Sequence, residues 1–329
     1  MMQSLLIANC IFNAFLSFTA ITLNIVTIIA LRKPLTIPKA LKTLLLSMAV
    51  SDLGVGLLAQ PFYITGLVML IKENTQTLTF EITRNIFYST GIFLAYATFF
   101  GVVALAAERF LAVYLHLRYQ ELLTNKRVVA VVIWIWIVSA ILMLLPIWIP
   151  NVATIIFVAV ESVCYLTTAF FYFKIYLAVR HHSNQIQVLQ AQLAQNNEGD
   201  KTNAARERKA VVGTFYVYLV FLICFLPTTC FWIIERSAGP STTLLQFARY
   251  ANTLMFLNSS LNPLIYSWKM KHVRHAIIEI LRNIMPHPHQ WRKKKVKKPG
   301  NTVYIKTLYR LEWILHLPLS WQFFYLGKF

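Results

Sequence analysis

The hydrophobic pattern divides the chain into long apolar runs separated by short polar segments. Each run has about 20 residues or more, the length that an α-helix needs to cross a bilayer. Prolines and an asparagine near residue 150 separate the fourth run from the fifth, because proline interrupts a helix. The pattern therefore predicts an all-α membrane protein with seven transmembrane spans: 1–31, 43–71, 85–107, 128 to about 148, the following run to 173, 210–234 and 250–268.

Composition excludes several soluble classes. Apolar residues make up 57% of the 329-residue chain and charged residues only 13%, whereas soluble proteins carry about 25% charged residues. Mean hydropathy is +0.58. Four cysteines are too few for a disulfide scaffold. The first apolar run is too long for a cleavable signal peptide and has no basic segment before it, so it is predicted to be a signal-anchor helix.

The net charge of +19 would suggest a nucleic-acid partner if the protein were soluble. Its distribution indicates another cause. All but four of the 31 Lys and Arg residues follow spans one, three, five and seven, and the exceptions are Lys72, Arg84, Arg236 and Arg249. Basic residues remain on the cytoplasmic side of membrane proteins. We therefore expect an extracellular N-terminus, a cytoplasmic C-terminus and no nucleic-acid partner.

A group of polar residues interrupts the apolar spans at similar depth. An ionisable side chain in hydrocarbon costs about 2.5–3.5 kcal/mol on insertion scales and therefore needs a partner or water. Oxygen-rich side chains around a carboxylate suit a small hard cation such as sodium, and a hydrogen-bond network that only holds helices together is the alternative. The candidate residues are Asp52, Asn24, Thr98, Asn258, Ser259 and Asn262.

Two further features concern the cytoplasmic end of span three and the prolines of spans six and seven. Span three ends at Glu108 and Arg109, and Glu207 begins span six at the same depth. An Arg109–Glu207 pair would clamp the two spans, and the alternative is an arginine that extends to the interface. Pro227 and Pro263 each remove a backbone hydrogen bond from their helix, which favours kinked helices able to swing.

These motifs, in this order, resemble those of rhodopsin-like (class A) G-protein-coupled receptors over about residues 15–283. Asn24 matches the asparagine of the first helix, and Met48 to Asp52 match the LAxxD motif of the second. Glu108-Arg109-Phe110 matches the D/E-R-Y triplet, and Trp136 matches the fourth-helix tryptophan. Phe225-Leu226-Pro227 matches the CWxP motif, and Asn262 to Tyr266 match NPxxY. A short amphipathic eighth helix follows, with Val273, Ile277, Ile280 and Leu281 on one face.

The resemblance implies a seven-transmembrane helix bundle over 1–268, helix eight over 269–283 and a cytoplasmic tail over 284–329. It implies a plasma-membrane receptor that couples an extracellular ligand to a heterotrimeric G protein through an outward swing of helix six. The polar residues above would form an allosteric sodium site. Arg109 would meet the G protein after leaving Glu207, Leu117 would enter a G-protein pocket, and Tyr172 and Tyr266 would swing inward.

The sequence also departs from the usual family pattern. Arg84 stands where most members have the helix-three cysteine, and Cys164 replaces the helix-five proline. The second extracellular loop is very short and has no cysteine. These departures resemble the branch that holds melanocortin, lysophospholipid, cannabinoid and adenosine receptors. Phe225 replaces the toggle tryptophan, so activation gating is expected to differ.

The ligand stays open between a lipid, a peptide and a nucleoside-like molecule. Gly91, Phe256 and Trp232 occupy the positions of the aminergic aspartate, the retinal lysine and the adenosine-binding asparagine, so none of those ligands carries over. Glu161 is the carboxylate of the upper bundle and would accept a hydrogen bond from a ligand or, alternatively, bond to a neighbouring helix. The pocket candidates are Glu161, Gly91, Phe225, Trp232 and Phe256.

Other classes of membrane protein would need other residues within the spans. A membrane enzyme or transporter would need acid or histidine clusters within the spans, which contain only Asp52 and Glu161, so no enzyme activity and no cofactor besides sodium is expected. A constitutively active or silent receptor-like protein is another alternative, given Phe110, Phe225 and the missing disulfide. The basic run 292–298 is expected to bind anionic membrane lipid.

Overall fold

The structure is a computed structural model. It describes residues 2–35, 37–114, 119–193 and 198–284, and its account of side chains leaves out residues 2, 120, 151, 179, 181–217, 269, 271, 283 and 284. The chain forms two compact units, Met1–Leu281 and Arg282–Phe329. The second unit falls almost wholly outside the described residues, as do the predictions made for the basic run and the tail.

The described chain is built from long helices and contains no β-strand. A short helical turn, Tyr119–Leu122, lies between the third and fourth long helices. The prediction of an all-α bundle followed by a short C-terminal helix is confirmed. The helices are α1 (Met2–Arg32), α2 (Lys39–Ile71), α3 (Leu78–Tyr114), α4 (Asn125–Trp148), α5 (Pro150–Leu193), α6 (Glu198–Ala238), α7 (Thr242–Lys269) and α8 (Lys271–Ile284).

Helices α1 to α6 are long and apolar enough to cross a membrane, whereas polar residues interrupt the apolar stretch of α7. The polar side chains of α7 lie inside the bundle and find partners there. Ser260 Oγ donates a hydrogen bond to the Leu16 carbonyl of α1 at 3.2 Å. Contacts inside the protein therefore offset the lower hydropathy of α7, whose buried polar residues are Thr253, Asn258, Ser259, Ser260, Asn262 and Ser267.

Helix α3 is the most buried of the six apolar helices and α4 the least. Large apolar side chains such as Trp134 of α4 and Leu166 of α5 are exposed on the outer surface. A bilayer would cover such a surface, because lipid tails are as apolar as these side chains. On the inner side of α4, Trp136 Nε1 donates a hydrogen bond to Ser47 Oγ of α2 at 3.1 Å.

Helix α8 is amphipathic, as the sequence predicts. Val273, Ile277 and Ile280 are buried, and Leu281 is partly buried against the same core. Lys33 Nζ lies 3.0 Å from Glu279 Oε1, joining the segment after α1 to α8. The carboxyl side is 62% exposed, so this pair contributes only about 0–1 kcal/mol.

Helix α2 contains a π-helical turn, Val55–Ala59, at its closest approach to α1. Ser17 Oγ donates a hydrogen bond to the Gly56 carbonyl at 2.8 Å. A Cβ atom on Gly56 would lie 2.9 Å from Ile21 Cγ1 and 3.2 Å from the Ser17 carbonyl oxygen. Only glycine allows this backbone approach, as small residues do between membrane helices generally.

The outer link between α4 and α5 is a single residue. Helix α4 ends at Trp148 and α5 begins at Pro150, with Ile149 between them. All four cysteines are free, and they are Cys10, Cys164, Cys224 and Cys230. The predicted absence of a disulfide between α3 and this link agrees with the structure.

Replacing Gly56 with alanine is expected to destabilise the bundle. The added methyl group would meet the Ile21 side chain at 2.9 Å and the Ser17 carbonyl oxygen at 3.2 Å, and overpacking of this kind costs about 1–3 kcal/mol. The matched control is Gly66→Ala in the same helix, because a Cβ atom there meets nothing within 4 Å. Thermal melting in detergent should show a lower Tm for Gly56→Ala and an equal or higher Tm for Gly66→Ala, since alanine favours helix. Equal melting temperatures for the two variants would contradict the packing argument.

Reducing agent is expected to leave the Tm unchanged, because no disulfide holds the outer surface together. Alkylation of the unfolded, unreduced protein should modify all four thiols. A peptide map that contains any intramolecular disulfide would refute this expectation.

Candidate functional site

The polar residues predicted at mid-depth join α1, α2, α3 and α7. Asp52 is 1% exposed, and Asn262 Nδ2 donates a hydrogen bond to its Oδ2 atom at 2.9 Å. Asn24 Nδ2 donates to the Ser259 carbonyl at 2.9 Å. The hydroxyl groups of Ser51 and Thr98 lie 3.3 Å apart. The structure thus buries all six candidates in one region of four helices.

Several buried atoms of this region have no hydrogen-bond partner among the described residues. They include Asp52 Oδ1, Asn24 Oδ1, Asn262 Oδ1 and both side-chain polar atoms of Asn258. Unpaired buried polar groups are costly, so a bound ion or ordered water is expected to satisfy them. A carboxylate oxygen and amide oxygens are ligands typical of a hard cation, and this donor set therefore fits sodium.

At the cytoplasmic end of α3, Arg109 is held by its neighbour Glu108. Arg109 Nε lies 2.5 Å from Glu108 Oε2, and Nη2 lies 2.7 Å from Oε1. The hydroxyl of Tyr119 also donates to Glu108, whose side chain is 2% exposed. Burial, and then the adjacent carboxylate, raise the pKa of Tyr119, which keeps it a hydrogen-bond donor. The side chain of Glu207 and all of Leu117 lie outside the described residues.

The two tyrosines expected to swing inward are both buried. The Tyr172 ring of α5 stacks on Tyr218 of α6, with centroids 5.3 Å apart. The Tyr266 hydroxyl of α7 lies 3.6 Å from Met48 Sδ of α2. Pro227 and Pro263 both lie inside continuous helices.

In the outer half, Glu161 bonds to two neighbouring helices. Its Oε2 atom accepts a hydrogen bond from Thr229 Oγ1 of α6 at 2.5 Å. Its Oε1 atom accepts one from the Tyr96 hydroxyl of α3 at 3.3 Å. These are the partners expected if Glu161 joins helices. The sequence alone allowed either this role or a hydrogen bond to a ligand.

Comparison with known proteins identifies the family. The family model of the 7 transmembrane receptor (rhodopsin family) matches residues 23–266. The chain belongs to this family. The receptor is 24% identical to the adenosine receptor A2b of Gallus gallus over an alignment that covers 76% of this chain and 81% of the relative.

Other relatives are receptors of the same class. Melanocortin receptor 5 of Ovis aries is 24% identical over 71% of this chain and 72% of the relative. The histamine H2 receptor of Cavia porcellus is 26% identical over 68% of this chain and 65% of the relative. The predicted resemblance and the seven-helix bundle are confirmed. At the level of the family, the receptor is a multi-pass, G-protein-coupled membrane protein and not an enzyme.

The remaining pocket candidates do not meet in one place in the receptor. Phe225 packs on Phe99 of α3, with ring centroids 4.7 Å apart, whereas Phe256 belongs to a separate buried apolar cluster. Trp232 packs on its neighbour Phe231. A Cβ atom at Gly91 would meet Phe87 of the Phe256 cluster at 3.8 Å.

Sequence reasoning missed a second polar cluster at the outer ends of α1, α2 and α7. Asn9 Nδ2 and Asn13 Nδ2 donate hydrogen bonds to Thr253 Oγ1 at 3.0 and 3.1 Å. The Tyr63 hydroxyl donates to the Arg249 carbonyl at 3.2 Å. Two asparagines four residues apart share one helix face, and this spacing was the available signal. A cleft beside the cluster is lined by Leu5, Leu6, Asn9, Gln246, Arg249 and Tyr250.

Proposed function

We propose that the protein is a plasma-membrane receptor that converts binding of an extracellular ligand into activation of a heterotrimeric G protein. The N-terminus is extracellular and the C-terminus cytoplasmic, since basic residues follow α1, α3, α5 and α7. One observation carries the proposal. Arg109, at the cytoplasmic end of α3, is held by two short contacts to the buried carboxylate of Glu108.

The Arg109–Glu108 pair would keep the receptor in its resting arrangement. Arg109 is 15% exposed, so water screens the pair less than it screens a surface ion pair. Release of Arg109 would offer its five N–H donors to backbone carbonyls of a G-protein helix. A ligand that binds the released arrangement more tightly shifts the population toward it. Glu207 and Leu117 keep their expected roles as a second restraint and a G-protein contact.

The moving element is α6, which swings outward about Pro227. Proline removes the hydrogen bond to the carbonyl four residues earlier and weakens the helix at that point. Movement of α6 would separate Tyr218 from Tyr172. Tyr172, and Tyr266 near the Pro263 kink, would then be able to turn inward and support the open arrangement.

A sodium ion bound near Asp52 would stabilise the resting bundle. Asp52, Asn24, Asn258 and Asn262 supply oxygens without partners among the described residues, and Thr98 and Ser259 supply neighbouring polar groups. The ion would supply positive charge beside a buried carboxylate, offsetting the cost of its desolvation. The protein residues orient the oxygens and exclude bulk water.

The ligand is proposed to be apolar or amphipathic. Support comes from the outer surface, where Ile149 alone links α4 to α5 and no disulfide fixes a lid. A ligand pocket without a lid can be entered from water or sideways from the bilayer. The cleft between α1 and α7 presents Leu5 and Tyr250 beside Arg249, so it offers both apolar and polar contacts.

Arg109→Ala is expected to abolish most G-protein activation without loss of receptor from the cell surface. Glu108→Gln should raise the basal signal about three- to tenfold, because the neutral amide holds Arg109 less tightly and the active population rises. The measurement is nucleotide exchange on purified G proteins, per receptor, in membranes. Arg127→Ala is the matched control, since the hydrogen bonds found for Arg127 among the described residues go to the carbonyls of Glu121 and Leu122 and not to Glu108.

Normal signalling by Arg109→Ala would refute the proposed role of Arg109. Glu207→Ala tests the second restraint separately. A basal signal equal to that of the wild type would exclude Glu207 as a clamp.

Replacing choline chloride with sodium chloride, at constant ionic strength, is expected to raise the Tm of the receptor. An ion that binds only the folded state stabilises it by mass action. Asp52→Asn keeps the shape of the side chain and removes its charge, so the difference between the two salts should vanish. Potassium chloride controls for a general salt effect. An unchanged sodium effect in Asp52→Asn would leave the mid-depth cluster with only a structural role.

A further inference from the structure

Glu161 lies at a junction of three helices in the outer half of the bundle. It belongs to α5, and its two carboxyl oxygens accept hydrogen bonds from Tyr96 of α3 and Thr229 of α6. All three residues are buried, with exposures of 9%, 3% and 4%. The Tyr165 hydroxyl lies 3.0 Å from Thr229 Oγ1.

The hydroxyl protons of this group can be assigned consistently. A hydroxyl donates one hydrogen bond and accepts others. Thr229 donates to Glu161 and accepts from Tyr165, while Tyr96 donates to the other carboxyl oxygen. Each carboxyl oxygen therefore has one donor, and a hydroxyl chain runs from Tyr165 through Thr229 to Glu161.

In the described part of the chain, the carboxyl group of Glu161 is stabilised by the hydroxyl groups of Tyr96 and Thr229. The ion pairs found among the described residues are Lys33–Glu279 and Glu108–Arg109, so no described basic side chain pairs with Glu161. The Thr229 contact is the shorter of the two and is therefore the main restraint.

Thr229 is well placed to restrain α6 because it lies two residues after Pro227. The helix is weakened at the proline, so the segment beyond it moves easily unless other contacts hold it. One turn earlier, Phe225 packs on Phe99 of α3, but that contact is apolar and permits sliding. The Thr229–Glu161 hydrogen bond is directional, so it opposes rotation of α6 more effectively.

We propose that Glu161, Tyr96 and Thr229 form a latch that holds the outer part of α6 against α3 and α5 and limits basal signalling. This inference rests on the proposed receptor function. The latch occurs together with the Arg109–Glu108 pair, so it belongs to the arrangement in which Arg109 is held. Glu161 is a positioning residue, which acts on the G-protein surface through α6.

The test compares two adjacent threonines of α6. Thr229→Val removes the hydroxyl bonded to Glu161 and keeps the shape of the side chain. Thr228→Val is the matched control, because Thr228 Oγ1 is buried and has no hydrogen-bond partner among the described residues. Basal nucleotide exchange per surface receptor should rise about three- to tenfold in Thr229→Val and stay at the wild-type level in Thr228→Val.

The contact to Tyr96 allows a second comparison. Tyr96→Phe should raise the basal signal less than Thr229→Val, since the Tyr96 contact is longer. In a Glu161→Ala background, Thr229→Val should add nothing, because the two residues act through one contact. A purely structural role would lower surface expression without raising the signal per receptor.

A measurement without G protein separates the latch from the proposed function. Hydrogen–deuterium exchange of the purified receptor should show faster uptake in peptides covering 220–238 of α6 in Thr229→Val, but not in Thr228→Val. Equal uptake in the two variants would overturn the latch, as would equal basal signals in a receptor whose wild type activates a G protein. Faster uptake in Thr229→Val without G-protein activation by any variant would support the latch and refute the proposed coupling.

Discussion

The absence of water in the hydrocarbon core is the constraint on which this structure depends. Each backbone or side-chain polar group placed there must find a partner inside the protein. Helices satisfy the backbone, and the described chain accordingly contains helices and no strand. The polar side chains then have to meet one another, and their meeting points fix which helices touch and how.

Three buried carboxylates show how this constraint produces a receptor. Asp52 bonds to Asn262, with its other carboxyl oxygen unpaired among the described residues, Glu108 holds Arg109, and Glu161 bonds to Tyr96 and Thr229. Asp52 and Glu161 each join separate helices, and Glu108 joins α3 to the Tyr119–Leu122 turn through the Tyr119 hydroxyl. Such contacts are more directional than apolar packing. Contacts of this kind are either made or broken, so the activation proposed for the receptor would be a shift between two arrangements rather than a continuous deformation.

The sequence was sufficient for what depends on local pattern. Apolar runs predict the spans, and the spacing of Val273, Ile277 and Ile280 predicts the buried face of α8. Polar residues interrupt the apolar stretch of α7, yet its motif residues identified it as a span. The π-helical turn at Val55–Ala59, the partners of Glu161 and the cluster of Asn9, Asn13 and Thr253 were not predicted. They depend on how closely separate helices approach, which no single segment encodes.

The distance between the cytoplasmic ends of α3 and α6 tests most directly whether α6 carries the signal. Spin labels at Tyr114 and Val212, in receptor reconstituted into lipid nanodiscs, report this distance by pulsed electron paramagnetic resonance. Adding a nucleotide-free G protein is expected to shift the distribution to longer distances, and Arg109→Ala is expected to prevent the shift. A distribution unchanged by every class of G protein would contradict the claim that α6 carries the signal.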